Sequence, residues 1–240
     1  MRLLYDFKFC AALRCIRVTL LQLVLGGLVL TGGPVQAQTA ARAELLGSIQ
    51  RDDVQAVRLA LLRGIDVNLR DEAGTPLIVL AAHDQSWRVL LALTDMRSVR
   101  LDASDTKGTN ALMYAALHGE MSIVRRLVER EAQVNKTGWT PLHFAASNGH
   151  DKVVSYLLEH HAYIDAESPN RTTPLMMAAR MRHSTIVRLL LQEGADPTPV
   201  NQSGMSAADY AHKAGDLAVS ASLAEAAEAF RVKYKLPAKP

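Results

Sequence analysis

Beyond residue 15 the chain has no cysteine, because both of its thiols, Cys10 and Cys15, sit at the N-terminal end of its 240 residues. The remainder can form no disulfide, no thiolate nucleophile and no cysteine-ligated metal site. A thiol-free body suits an oxidising compartment, where a stray cysteine is a liability. The apolar stretch "VTLLQLVLGGLVL" (18 to 30) falls short of the roughly 20 residues a spanning helix needs. No Walker-type or Gly-x-Ser-x-Gly sequence is present, and the pairs Gly26-Gly27 and Gly32-Gly33 cradle no phosphate. Charge of one sign is also missing. Residues 1 to 37 hold four of the 27 basic residues and one of the 24 acidic ones, so the rest of the chain balances. Without a concentrated positive field, neither nucleic acid nor an anionic membrane surface is an expected partner.

What residues 1 to 37 do contain has three parts. Arg2, Lys8, Arg14 and Arg17 face a single acid, Asp6; the uncharged run follows; "PVQA" then places Val35 and Ala37 at small-residue positions before Gln38. That is the layout of a secretory signal peptide cut after Ala37. No Arg-Arg pair precedes the run, which favours the Sec route, and Cys15 stands before the run, where no lipoprotein acylation site belongs. The alternative is an uncleaved anchor holding the rest at a membrane.

From residue 38 onward the chain repeats. "GTPLIVLAAHDQSWRVLLAL" opens at Gly74, "GTNALMYAALHGEMSIVRRL" at Gly108, "GWTPLHFAASNGH" at Gly138, "RTTPLMMAARMRHSTIVRLLL" at Arg171 and "GMSAADYAHKAGDLAVSASL" at Gly204, spaced 34, 30, 33 and 33 residues. A unit that cannot bury its apolar side alone has to recur in this way. In the copy at Gly138, Thr140 can cap a helix and Pro141 sits in its first turn, where a missing N–H costs nothing. Ala145 and Ala146 permit close approach, Asn148-Gly149 turns the chain, and Val153, Val154, Leu157 and Leu158 form one stripe on a second helix.

These units resemble the ankyrin-repeat family, with "GWTPLHFAASNGH" carrying the likeness most fully and the resemblance covering about residues 41 to 230. It implies an all-α solenoid of about six helix–turn–helix units, joined by β-hairpin or loop connections and capped at both ends. The expected boundaries are a signal peptide at 1–37 and a repeat domain at 38–235, leaving a tail at 236–240. Within the domain lie an N-cap at 41–70, repeats at 71–104, 105–134, 135–167 and 168–200, and a C-cap at 201–235. Residues 44 to 68 lack Thr-Pro-Leu but keep a second helix and "GIDVN", and Glu225, Glu228 and Arg231 read as the polar face of the last cap.

Departures from the pattern carry expectations of their own. Thr75-Pro76-Leu77 lies one residue further from its Ala pair than Thr140-Pro141-Leu142 does, so an irregular turn is expected there. Asn110-Ala111 replaces Thr-Pro and should keep a cap while loosening the start. The short step before Gly138 predicts a stubby hairpin around Asn135 to Thr137. Glu131 and His161 stand where Gly194 ends a helix; left-handed conformations there would each cost about 1 kcal/mol and make the middle repeats the less stable ones.

Several residues imitate chemistry. His143 and His150 occupy positions where the resemblance implies a histidine bonded to loop backbone rather than a metal ligand. His160-His161 closes a helix without a third ligand, and Glu129, Glu131, Asp52 and Asp53 read as carboxylates on solvated faces. Asn135-Lys136-Thr137 and Asn201-Gln202-Ser203 match the glycosylation sequon. No cofactor or metal is expected. An enzyme would need a pocket built around His118 or His83.

What remains is surface. The resemblance implies a concave face of hairpin tips and first helices that binds another protein. On this chain it comprises Lys107, Thr109, Leu117, His118, Lys136, Trp139, Ser147, Asn148, Arg180, Met181, Met205 and Lys213, with Glu72, Thr75, His83, Asp84, Asn170 and Thr172 beside them. Trp139, flanked by Lys136, fits an aromatic anchor with a polar rim; its alternative is packing on its own repeat. Trp87 reads as packing between repeats. The expected protein is a periplasmic or secreted bacterial scaffold, stabiliser or inhibitor, monomeric or weakly self-associating, with a membrane-anchored immunity or assembly factor as the alternative.

Overall fold

The computed structural model describes residues 33 to 237, with side chains from residue 39, so most of the expected signal segment lies outside the described residues. The chain forms two compact units, Met1–Gly47 and Ser48–Pro240. Helix α1 (Gly33–Gln50) passes through the expected cleavage position. In the second unit the helices alternate as inner and outer partners of hairpins: α2 (Val54–Leu62), α3 (Leu77–His83), α4 (Trp87–Thr94), α5 (Ala111–His118), α6 (Met121–Glu129) and α7 (Pro141–Ser147). The pattern continues through α8 (Asp151–Glu159), α9 (Pro174–Arg180), α10 (Ser184–Gln192), α11 (Ala207–Lys213) and α12 (Leu217–Tyr234). Each first helix packs on the first helix of the next unit, and second helices follow suit. Among the described residues no strand forms; the expected β-hairpins reduce to single antiparallel bridges at Arg70–Pro76 and Ser104–Asn110.

The expected alanine pairs are the reason the first helices can approach: Ala81, Ala82, Ala115, Ala116, Ala145, Ala146, Ala178 and Ala179 are all buried. Leu77, Leu112, Leu142 and Leu175 fill the space beside them. The second helices contribute Val89, Leu90, Ile123, Leu127, Val154, Leu157, Ile186 and Leu190, one buried stripe per helix.

The helix starts follow the residues closely. Asn110 caps α5 by accepting from the Met113 N–H at 3.0 Å, and Thr173 caps α9 through Met176 at 3.3 Å. In the second copy the result differs from the expected irregular turn. Helix α3 is regular and keeps its register to Ala81; the Thr-Pro has slid outward, so Pro76 occupies the cap position and offers no side-chain bond. At the C-terminal end, α12 is one helix from Leu217 to Tyr234. Arg231 departs from its expected place on the polar face: its side chain is largely covered and lies 3.7 Å from Glu228, while Glu225 is exposed.

Backbone strain is spread more widely than the two expected positions. Glu131 and His161 do adopt positive φ, at 65° and 64°, but so do Asp52, Gln85, Arg171 and Arg182, at 52°, 58°, 61° and 62°. Strain of about 1 kcal/mol each therefore does not single out the middle repeats.

Units are tied to one another by two recurring side-chain devices. The first is an Asx side chain after each of the first four second helices. Asn68, Asp102, Asn135 and Asp165 accept from the N–H groups of Arg100, Gln133, Tyr163 and Asp196, at 2.9, 2.8, 2.8 and 3.0 Å. The two asparagines also donate, to the Ser98 carbonyl at 2.9 Å and the His161 carbonyl at 2.7 Å. An ionised aspartate has no donor to give.

The second device is a histidine at the start of a second helix. His150 Nε2 lies 3.0 Å from the Leu117 carbonyl and His183 Nε2 3.1 Å from that of Ser147, each reaching the preceding unit's turn. The turn residue beneath each ring is glycine: a Cβ on Gly119 would meet His150 at 2.5 Å, and one on Gly149 would meet His183 at 2.8 Å. Where the following unit starts its second helix with Glu120 or Asp216 instead, the corresponding turn residues are Gln85 and Arg182. Ser86 at that position donates to the Ile49 carbonyl at 2.6 Å, above Asp52.

A candidate partner-binding face

The tips between units are preformed. Asp71, Asp105, Ser168 and Asn201 each start the same five-residue turn, whose first N–H donates to the fifth carbonyl and whose fourth N–H donates to the first. The side chain of the first residue then accepts from the fifth N–H: Asp71 from Thr75 at 2.7 Å, Asp105 from Thr109 at 2.8 Å, Ser168 from Thr172 at 2.9 Å and Asn201 from Met205 at 3.1 Å. Such Asx and ST turns hold a loop without help from a ligand. The fourth unit lacks this turn, as its short step predicts. Lys136 fills the gap, donating through Nζ to Ser104 Oγ at 2.8 Å and to the Gly108 carbonyl at 2.7 Å.

Lys136 is therefore a strut to the preceding tip and not a rim charge. Ser147 also leaves the expected face: it is buried, with its hydroxyl donating to the Phe144 carbonyl at 3.0 Å. Thr172 is buried beneath its own turn. Thr109 and Met205 are half-buried, with their N–H groups held as described, and Leu117 is half-buried below His150. Lys107, Asn148, Arg180, Met181 and Lys213 are exposed, Met181 at 48%. The Asn148 amide is spent locally, on Ser147 Oγ at 2.7 Å and the Phe144 carbonyl at 3.1 Å.

Trp139 packs on its own repeat and keeps part of its surface exposed. Its ring stands edge-on to His143 with centroids 5.3 Å apart and leans on Phe144 at 6.3 Å, yet 36% of the residue stays exposed. A rigid aromatic held by its own repeat is therefore left partly at the surface. His118 stands edge-on to Trp87 at 5.7 Å, which makes Trp87 an inter-repeat contact. His83 bonds Asp84 at 2.7 Å and meets the Tyr114 ring at 5.5 Å.

The histidines and carboxylates that imitate chemistry have structural work. His143 is buried, bonds Thr140 through Nδ1 at 2.8 Å and lies 2.8 Å from the Thr172 carbonyl through Nε2; burial holds its pKa down at about 4. Asp53 caps α2, accepting from Gln55 and Ala56, each at 3.1 Å. Asp52 is not on a solvated face as expected: it caps α4 of the next unit, accepting from the Val89 N–H at 2.8 Å. His160 stacks on Tyr156 at 4.0 Å and bonds that residue's carbonyl. Among the described residues no group of three or more metal-ligating side chains forms. Both sequon asparagines are occupied: Asn135 as above, and Asn201, buried, donating to the Tyr210 hydroxyl at 2.6 Å.

Two features were not visible in the pattern. Arg180, Met205 and Lys213 line one open pocket of about 480 Å³ together with Ser203, Tyr210 and Ala214. Leu59, Leu62 and Leu91 stand exposed on α2 and α4, and Leu62 lines a cavity of about 580 Å³ with Leu61, Ile65 and Met96. The signal for the second was available: α2 reads "VQAVRLALL", with more apolar residues than one stripe can bury.

A family model described as ankyrin repeats matches the chain in three copies, over residues 45–136, 88–168 and 162–232. The tyrosine-protein kinase Shark of Drosophila melanogaster is 31% identical over 174 residues, covering 71% of this chain but 18% of the kinase. The putative ankyrin repeat protein YahD of Escherichia coli is 27% identical over 183 residues, covering 72% of this chain and 90% of its own length. The crystal structure of an ankyrin repeat domain from Acinetobacter baumannii superposes with a TM-score of 0.66 at 24% identity, over 76% of this chain and 96% of that one.

Proposed function

The chain belongs to the ankyrin-repeat family, whose arrays are in general protein–protein interaction modules, and from that premise we propose that it is an exported binding protein. It holds a protein partner against its tips and first helices as a scaffold, stabiliser or inhibitor in the periplasm. The observation that carries the reading is the contrast along this face. Among the described residues every buried side-chain polar atom has a partner, while Lys107, Trp139, Arg180, Met181 and Lys213 stand exposed with surface to spare. Preformed loops reduce the ordering cost of association. Export is supported by the basic, apolar and small-residue parts of residues 1 to 37 and by the thiol-free remainder. Two bacterial proteins similar over most of their own length, YahD and the Acinetobacter domain, agree with a bacterial setting.

The test is a cross-linking pull-down from a native envelope extract with the wild type beside a Trp139→Ala/Arg180→Ala double variant. A protein captured by the first and lost by the second is the expected result; equal capture by both removes the interface from this face. Mass spectrometry of the native N-terminus tests export. A chain starting at Gln38 is expected, and a retained Met1 would replace the soluble periplasmic reading with a membrane-anchored one.

A further inference from the structure

We propose that the pocket between the fifth and sixth units takes a carboxylate-bearing segment of the partner, an acidic peptide stretch with an apolar residue beside its acids. This deepens the binding reading above and rests on it.

The argument is one of charge and donors. Arg180 closes α9 and Lys213 closes α11, and both line the open pocket with Ser203, Met205, Tyr210 and Ala214. Among the described residues neither cation forms an ion pair or side-chain hydrogen bond. No acid lines the pocket, and Asp209, Asp216 and Glu167 bond other groups. Asp209 accepts from Ser206 N–H at 2.8 Å and from its hydroxyl at 2.6 Å; Asp216 accepts from the Val219 N–H at 3.2 Å; Glu167 pairs with Arg171 at 3.4 Å. Tyr210 accepts from the Asn201 amide, so its own O–H proton is free to donate. The lining thus combines two cations and a tyrosine without a carboxylate, and Met205 and Ala214 add apolar surface.

That set suits a carboxylate and its apolar neighbour: Arg180 offers a planar fork, Lys213 a point charge, and the thioether a soft contact. It suits a nucleic-acid backbone less well. Polyphosphate binding draws its affinity from many neutralised phosphates, and here two cations stand on a chain whose charges from residue 38 onward balance.

The experiment is panning of a random dodecapeptide phage library on the full-length protein, followed by binding of the enriched sequences as synthetic peptides. Wild type is compared with Arg180→Glu/Lys213→Glu and with Arg180→Gln/Lys213→Gln, each checked for native helicity by circular dichroism. Enriched peptides should carry adjacent Asp or Glu beside an apolar residue, bind the Gln variant at least tenfold more weakly, and lose affinity as salt is raised. Absence of enrichment, enrichment without acids, or equal binding to the variants overturns the inference. Tighter binding of a fluorescein-labelled oligothymidylate at the same residues would also overturn it, in favour of a polyanion. Peptides lost on Trp139→Ala but indifferent to the charge variants would remove this inference and leave the binding face standing.

Discussion

Asp165 should be worth replacing by asparagine. It holds the place in its loop that Asn68 and Asn135 hold in theirs, but it makes only half of their bonds: it accepts from the Asp196 N–H at 3.0 Å and donates to nothing. In the two asparagine copies the donated bond goes to the carbonyl two residues before the bound N–H. The corresponding acceptor here is the Gly194 carbonyl. Burial first, and then the negative charge of Asp196, raise the Asp165 pKa from 3.8 to about 6, against the pull of the Asp196 N–H. A carboxyl moved that far would cost a fully shielded site about 3 kcal/mol of stability at pH 7. Because the group is only partly shielded, screening reduces this to about 1.5 kcal/mol. The sign follows from proton binding. Between pH 4 and about 6 the folded state holds more protons at this site than the unfolded state, so the wild type loses stability as pH rises through that window. Asp165→Asn removes the loss and adds the missing donor, at a net worth near 1 kcal/mol. Guanidinium unfolding at pH 7.5 should show a gain of about 2.5 kcal/mol that falls to about 1 to 1.5 kcal/mol at pH 4, where only the added donor remains. A variant no more stable than the wild type at pH 7.5, or one equally improved at both values, would refute the reasoning.

His143 titrates in the opposite sense. Its folded pKa of about 4 lies below the ordinary 6.5, so stability present above pH 6.5 is lost as pH falls toward 4, and His143→Gln should flatten that part of an acid-unfolding profile. Gly149→Ala should cost more than the roughly 1 kcal/mol of a left-handed alanine, since its Cβ also meets the His183 ring at 2.8 Å. A double-mutant cycle with His183→Ser should recover the steric part in thermal unfolding, and strict additivity would contradict it. Glu131→Gly should stabilise by about 0.5 to 1 kcal/mol, while Gly194→Ala, at φ 93° with open space around it, should destabilise by a similar amount. Opposite signs for that pair in chemical denaturation are the check.

The periodic features were legible because each copy had to solve the same packing problem. Alanine pairs, cap residues and the apolar stripes of the second helices sit where "GTPLIVLAAH" and its relatives place them. The short loop before Gly138 was legible from spacing alone. What the pattern hid were bonds whose two ends lie about one repeat apart. Nothing local to Lys136 points to the Gly108 carbonyl, and nothing local to Asp52 points to the start of α4. Ser147 follows an alanine pair on the face that the pattern marks as outward, and only the packed neighbour shows that it is covered. The slide of Thr75-Pro76 was visible as a one-residue offset. Its outcome depended on whether Ala81 or the cap kept its place, and the buried alanine won because its neighbours leave no room to shift.

The histidine that stands on the preceding glycine makes two of the junctions locks with their own key. A unit carrying His150 fits only behind one that turns on glycine, and a unit turning on Gln85 or Arg182 fits only before one whose second helix starts with a side chain other than histidine. The order of the copies is therefore encoded across their boundaries. Duplicating the fourth unit in place would juxtapose Gly149 with another His150 and preserve the match, whereas moving that unit behind Gln85 would set a ring against a side chain. Lineages of this array can grow by copying at some joints and not at others.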